Sequence, residues 1–99
     1  MESLKGKVAL VVGGSSGIGL GIGMALAREA AKVVLVARTE AKLKAVQQQA
    51  GHEIGFHVKS CDVTHRQDFQ STVDWVQETL GPVEILVYSA GMNVPKRTF

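Results

Sequence analysis

Hydrophobic positions along this chain follow two rhythms. Nearly unbroken apolar runs occur at KVALVV (Lys7 to Val12), KVVLVA (Lys32 to Ala37) and EILVYS (Glu84 to Ser89), with a more mixed run at IGFHVKS (Ile54 to Ser60). All four are short and β-branched. The unbroken three read as strands covered on both faces, as in a parallel sheet. Between the runs, apolar residues fall at helical spacing: Ile18, Ile22, Ala25 and Leu26, then Leu43, Val46 and Ala50, then Phe69, Val73, Val76 and Leu80. The punctuation agrees. Thr39 can cap the second helix and Gly51 stop it, Thr64 and Gln67 have capping-box spacing before the third, and Gly81-Pro82 ends that one.

The predicted order is therefore β-α-β-α-β-α-β, in a single domain over residues 1–99 without linker, repeat or low-complexity segment. This alternation implies right-handed crossovers and a parallel sheet between helical layers, a three-layer α/β architecture. In a doubly wound sheet of this kind the strand order is 3-2-1-4, with the first strand central. Its ligand crevice lies beyond the carboxyl ends of the strands, where the order reverses between strands 1 and 4.

Composition removes several classes of function. The chain is 45% hydrophobic and 20% charged, an ordinary soluble globular balance. A net charge of +2, with Lys59, Lys96 and Arg97 forming no stripe, gives no nucleic-acid surface. Lys5 and Lys7 break the N-terminal MESLKGKVAL, so no signal peptide is expected, and no run approaches the roughly 20 apolar residues of a membrane span. Cys61 stands alone and cannot form an internal disulfide, which fits a reducing, cytoplasmic setting. It reads as a small buried filler rather than a nucleophile. His52, His57 and His65 share no spacing and suggest neither a metal site nor a triad.

VVGGSSGIGLGIG (Val11 to Gly23) holds six of the eleven glycines. It lies where the central strand gives way to the first helix. There, free backbone N–H groups and the positive end of the helix dipole favour an anion, provided that no Cβ stands in its way. Gly13 would turn the chain off the strand, Gly17 would admit a pyrophosphate, and Gly19 would let the helix pack on the sheet. Ser15 and Ser16 add hydroxyl donors. Taken alone, the same glycines also fit a flexible strand–helix loop.

Three segments together carry a family resemblance. GGSSGIG (Gly13 to Gly19), CDVT (Cys61 to Thr64) and LVYSAG (Leu86 to Gly91) resemble motifs of the short-chain dehydrogenase/reductase family, whose glycine motif is usually Thr-Gly-x-x-x-Gly-x-Gly. The resemblance covers essentially the whole chain. It implies a Rossmann-type fold and an oxidoreductase that transfers hydride between a nicotinamide dinucleotide and a carbonyl or alcohol substrate. Gly13, Ser15, Ser16, Gly17, Ile18 and Gly19 would surround the pyrophosphate. Asp62 would accept from the adenine amino group, or merely cap the third helix, while Val63 borders the ring. Ser89, Ala90 and Gly91 would flank the cofactor, with ribose contacts from the backbones of the last two.

Cofactor choice turns on the end of the second strand. NAD-binding members typically have an acid there; this chain has Ala37, then Arg38. Absence of the carboxylate removes repulsion against a 2′-phosphate, and a guanidinium pairs with that phosphate bidentately. NADP(H) is therefore expected over NAD(H), with Thr39 as a further donor, although a solvated arginine at a strand end is the plain alternative.

The chain also departs from the family. Val12 replaces a threonine and Tyr88-Ser89 replaces Asn-Asn, so the link between the first and fourth strand ends should be rebuilt or lost. Ala30 replaces a helix-ending glycine, at about 1 kcal/mol if it turns left-handed. The family's serine and Tyr-x-x-x-Lys are absent, since four residues beyond the single tyrosine, Tyr88, stands Met92. The chain stops at NVPKRTF, where the family continues with helix and strand. Residues 1–99 alone are thus expected to hold no catalytic residue, to be inactive, and to self-associate through an exposed apolar edge at Ile85, Leu86 and Val87. Full-length relatives are expected to be homo-oligomeric. A non-catalytic dinucleotide-binding module and an inactive remnant are the competing readings.

Overall fold

The computed structural model describes residues 3–13, 15 and 17–89. Four parallel strands, β1 (Val8–Val12), β2 (Lys32–Ala37), β3 (His57–Ser60) and β4 (Val83–Tyr88), form one sheet in the order β3-β2-β1-β4. Helices α1 (Gly17–Arg28), α2 (Glu40–Ile54) and α3 (Arg66–Thr79) make the crossovers. The order matches the one that the alternating sequence pattern predicts.

Side chains alternate across a strand, so an unbroken apolar run feeds two cores at once. Ala9, Val11, Val33 and Leu35 point to one face, where they meet Leu43 and Phe56 beneath α1 and α2. Val8, Leu10, Val12, Val34 and Val36 point to the other, against Cys61 and Val76 beneath α3. Each buried valine, leucine or phenylalanine among them contributes roughly 1.5–3 kcal/mol. That packing holds α1, a helix with four glycines that has weak intrinsic stability of its own. Gly23 lets α1 lie low: a Cβ there would stand 2.9 Å from Leu35 Cδ2.

Several local expectations need correction. The first helical stretch of α2 ends at Gly51 as expected (φ 78°, ψ 179°), but a further helical turn runs to Ile54 and ends on left-handed Gly55, so Ile54 to Phe56 are not part of β3. Thr39 occupies the N-cap position of α2 but its side chain makes no capping bond. Helix α3 is preceded by His65 rather than by a Thr64–Gln67 capping box. Strand β4 is not covered on both faces. Ile85 and Val87 pack towards the α1–α2 core, whereas Leu86 and Tyr88 are 58% and 65% exposed on the opposite side. The exposed apolar surface here is thus Leu86 and Tyr88, because the period-two pleat turns Ile85 and Val87 inward.

Ala30 adopts the left-handed conformation (φ 67°) that its position demands. Its carbonyl accepts the Gly6 N–H at 2.9 Å, and Lys7 O accepts the Lys32 N–H at 2.8 Å. The N-terminal segment is therefore fastened to the α1–β2 turn.

Candidate functional site

The carboxyl ends of all four strands lie along one rim of the sheet, and among the described residues the sequence-derived site residues sit there by topology. Ser16, Ala90 and Gly91 lie outside the described residues. At the end of β1, Gly13 continues the ladder by donating its N–H to Val36 O at 2.7 Å, then turns away at φ 85°. Ser15 follows, half-buried. Gly17 opens α1 at φ 59°, and the space that its Cβ would fill is empty. Ile18 beside it is 68% exposed.

Gly19 is a different case. It is buried, and a Cβ there would collide with both the Gly13 carbonyl oxygen and Ser89 Oγ. The first turn of α1 is therefore pressed directly onto the ends of β1 and β4. Ser89 supplies the other half of that junction. Its N–H donates to Val12 O at 2.8 Å, and its hydroxyl lies 3.1 Å from Val12 O and 3.2 Å from Gly13 O. The link between the first and fourth strand ends is thus rebuilt, from one hydroxyl to backbone carbonyls, with no side-chain partner needed on Val12.

At the end of β2, Ala37 O accepts the Cys61 N–H at 2.9 Å and Arg38 O accepts Ser60 Oγ at 3.0 Å. These bonds fix the backbone at Arg38 and leave its side chain exposed, with Thr39 exposed beside it. No carboxylate occupies either position.

At the end of β3 stands a small polar turn. Asp62 Oδ1 accepts both the hydroxyl (2.6 Å) and the N–H (3.0 Å) of Thr64. The Asp62 N–H reaches Asp68 Oδ2 at 3.3 Å, and Asp62 O accepts the His65 N–H at 3.0 Å. The two Thr64 bonds hold the Asp62 carboxyl below the usual carboxylate range; partial desolvation opposes them, and the charges of Arg38 and His65 assist. Val63 and buried Cys61 pack into the core beneath this turn. Sequence reasoning missed Thr64 as the partner of Asp62 and missed Asp68 altogether. The Asp-x-Thr spacing was the available signal, since such side chains bond to nearby backbone in turns.

Among the described residues no three His, Cys, Asp or Glu side chains group as a metal site, and no helix is long and apolar enough to cross a membrane. Along the rim, the described residues thus place a glycine-opened helix start after β1, a cation after β2 and a carboxylate after β3.

Residues 7–99 match the family model described as short chain dehydrogenase. The chain belongs to the short chain dehydrogenase family. Among its relatives is the glycine betaine reductase ATRR of Emericella nidulans, 45% identical over 91 residues, which cover 90% of this chain and 7% of that protein. An uncharacterized oxidoreductase of Staphylococcus saprophyticus is 39% identical over 94 residues, covering 93% of this chain and 40% of that protein. A crystal structure of a short chain dehydrogenase from Bacillus anthracis superposes with a TM-score of 0.81 at 30% identity, covering 90% of this chain and 36% of that one. The chain spans 40% or less of the length of each of these proteins.

Proposed function

We propose that this segment is the NADP(H)-binding portion of an oxidoreductase that moves hydride between the cofactor and a carbonyl or alcohol substrate. The observation that carries the cofactor choice is the end of β2. Arg38 is exposed on a backbone held by Ser60, and Ala37 leaves the place of the ribose-binding acid empty. A guanidinium so placed suits a 2′-phosphate, and no carboxylate repels it. The open space at Gly17 and the start of α1 suit the pyrophosphate. Ser15 and Ile18 border it, Thr39 adds a donor near the 2′-phosphate, Asp62 and Val63 take the adenine, and Ser89 with Ala90 and Gly91 flanks the ribose. When bound, the dinucleotide supplies the hydride; the residues here bind and orient it.

The reaction class draws support from the relative in Emericella nidulans, which is named as a reductase. A cytoplasmic setting belongs to the same reading, because Cys61 is free and buried. With no Tyr-x-x-x-Lys in the 99 residues, binding without turnover is expected of this segment alone.

Calorimetric titration with NADP⁺ and NAD⁺ tests the assignment. The wild type should favour NADP⁺, and Arg38→Ala should weaken NADP⁺ by about 2 kcal/mol, the scale of a charge-assisted contact, while leaving NAD⁺ nearly unchanged. Equal affinities for the two cofactors in the wild type would overturn the choice.

A further inference from the structure

Asp62 uses its two carboxylate oxygens unequally. Oδ1 accepts both Thr64 bonds, at 2.6 and 3.0 Å, while no described residue donates to Oδ2. The backbone of the same residue is fixed on both sides, its N–H by Asp68 and its carbonyl by His65. A carboxylate held twice through one oxygen cannot rotate without breaking both bonds, so its other oxygen keeps one bearing. An ionised carboxylate is acceptor-only. It therefore suits a base that presents an amino group and disfavours one that presents a carbonyl oxygen.

We infer that Thr64 is a positioning residue for base recognition: it sets the Asp62 carboxylate so that the second oxygen receives the amino group of a 6-aminopurine. This rests on the dinucleotide reading above and adds to it the residue that makes Asp62 selective. Burial cannot supply that orientation, because Asp62 sits near the surface and Thr64 is exposed. The pair's own hydrogen bonds must do so. They also keep the carboxyl ionised, since both bonds favour the charged form, with Arg38 and His65 adding to them. If Thr64 served only to close the turn, replacing it would weaken every dinucleotide alike.

The test compares NADP⁺ with its hypoxanthine analogue, which carries a 6-oxo group, on the full chain and its variants. The wild type should bind the adenine form about tenfold more tightly, the size of one hydrogen bond to a charged acceptor. Thr64→Val, which keeps the backbone N–H but loses the hydroxyl, should cut that preference to about threefold. Thr64→Ser should restore it. An undiminished tenfold preference in Thr64→Val overturns the inference, as does an equal loss of affinity for both dinucleotides. Equal binding of the two by the wild type also overturns it, by showing that Asp62 does not read the base, while the dinucleotide reading stands. Binding of neither by the wild type overturns the proposed function itself. In that event, carbon-13 titration of the Asp62 carboxyl, with Arg38, His65 and Asp68 unchanged around it, decides for Thr64. Its midpoint should rise in Thr64→Val and stay low in Thr64→Ser, and an unmoved midpoint in Thr64→Val overturns the positioning role.

Discussion

The turn after β1 and the turn after β3 both carry the chain from the carboxyl end of a strand into a helix, and both must deal with unpaired backbone N–H groups. After β3 the side chains do it: Asp62 takes the Thr64 N–H and Asp68 takes the Asp62 N–H. After β1 the described residues offer no carboxylate at all, and glycine keeps the approach to α1 open at Gly17. One turn is satisfied from within and presents negative charge outward. The other, on the proposed reading, leaves the start of α1 open to a ligand's phosphates. On that reading a single rim receives a ligand that is anionic at one end and carries hydrogen-bond donors at the other. The glycines and the acids are two halves of one complementarity.

The contrast is easiest to break at α1. Gly19→Ala should cost about 2–3 kcal/mol in a urea unfolding experiment, because the new Cβ meets a backbone carbonyl that cannot swing aside. Gly17→Ala, four residues beyond Gly13 but facing empty space, should cost only about 1 kcal/mol, the price of a left-handed alanine. If the two substitutions proved equally costly, the division between a packing glycine and an access glycine would collapse.

The smallest expected effect sharpens the other turn. The folded-state pKa of Asp62 lies below its unfolded value, so its contribution to stability is present above the unfolded pKa and is lost as pH falls through the folded one. Between pH 6 and pH 3, the wild type should lose slightly more thermal stability than Asp62→Asn. The same loss in both would mean that the acid turn contributes nothing through its charge.

These two turns were not equally legible in the sequence. Gly13, Gly17 and Gly19 could be assigned separate tasks because a glycine's meaning lies largely in what it lacks, and the strand–helix junction was clear from the apolar run before it. The β3–α3 turn was misread at its centre. Thr64 was given to the helix as a cap, but Asp62, two residues away, competes for the same hydroxyl and wins. Such a contest between neighbouring polar groups leaves no trace in hydrophobic periodicity. The same blindness applied beyond Gly51, where a further helical turn to Ile54 takes the place of the expected start of β3, and at Ser89. There the pattern showed that a link had changed, but only the geometry shows one hydroxyl reaching two carbonyls.

Ala30 couples distant parts of the chain in time as well as in space. Its left-handed backbone costs about 1 kcal/mol, and its carbonyl is the acceptor that holds the Gly6 N–H. The Ala31 N–H, bonded back to Leu26 O at 3.2 Å, belongs to the same loop of contacts. When this turn relaxes, the amides of Gly6 and Ala31 lose protection together, although twenty-odd residues separate them. Local opening here is therefore cheaper than opening of the sheet, whose β1 and β2 amides wait for the whole domain to come apart. The end of the first helix and the start of the chain breathe as one unit.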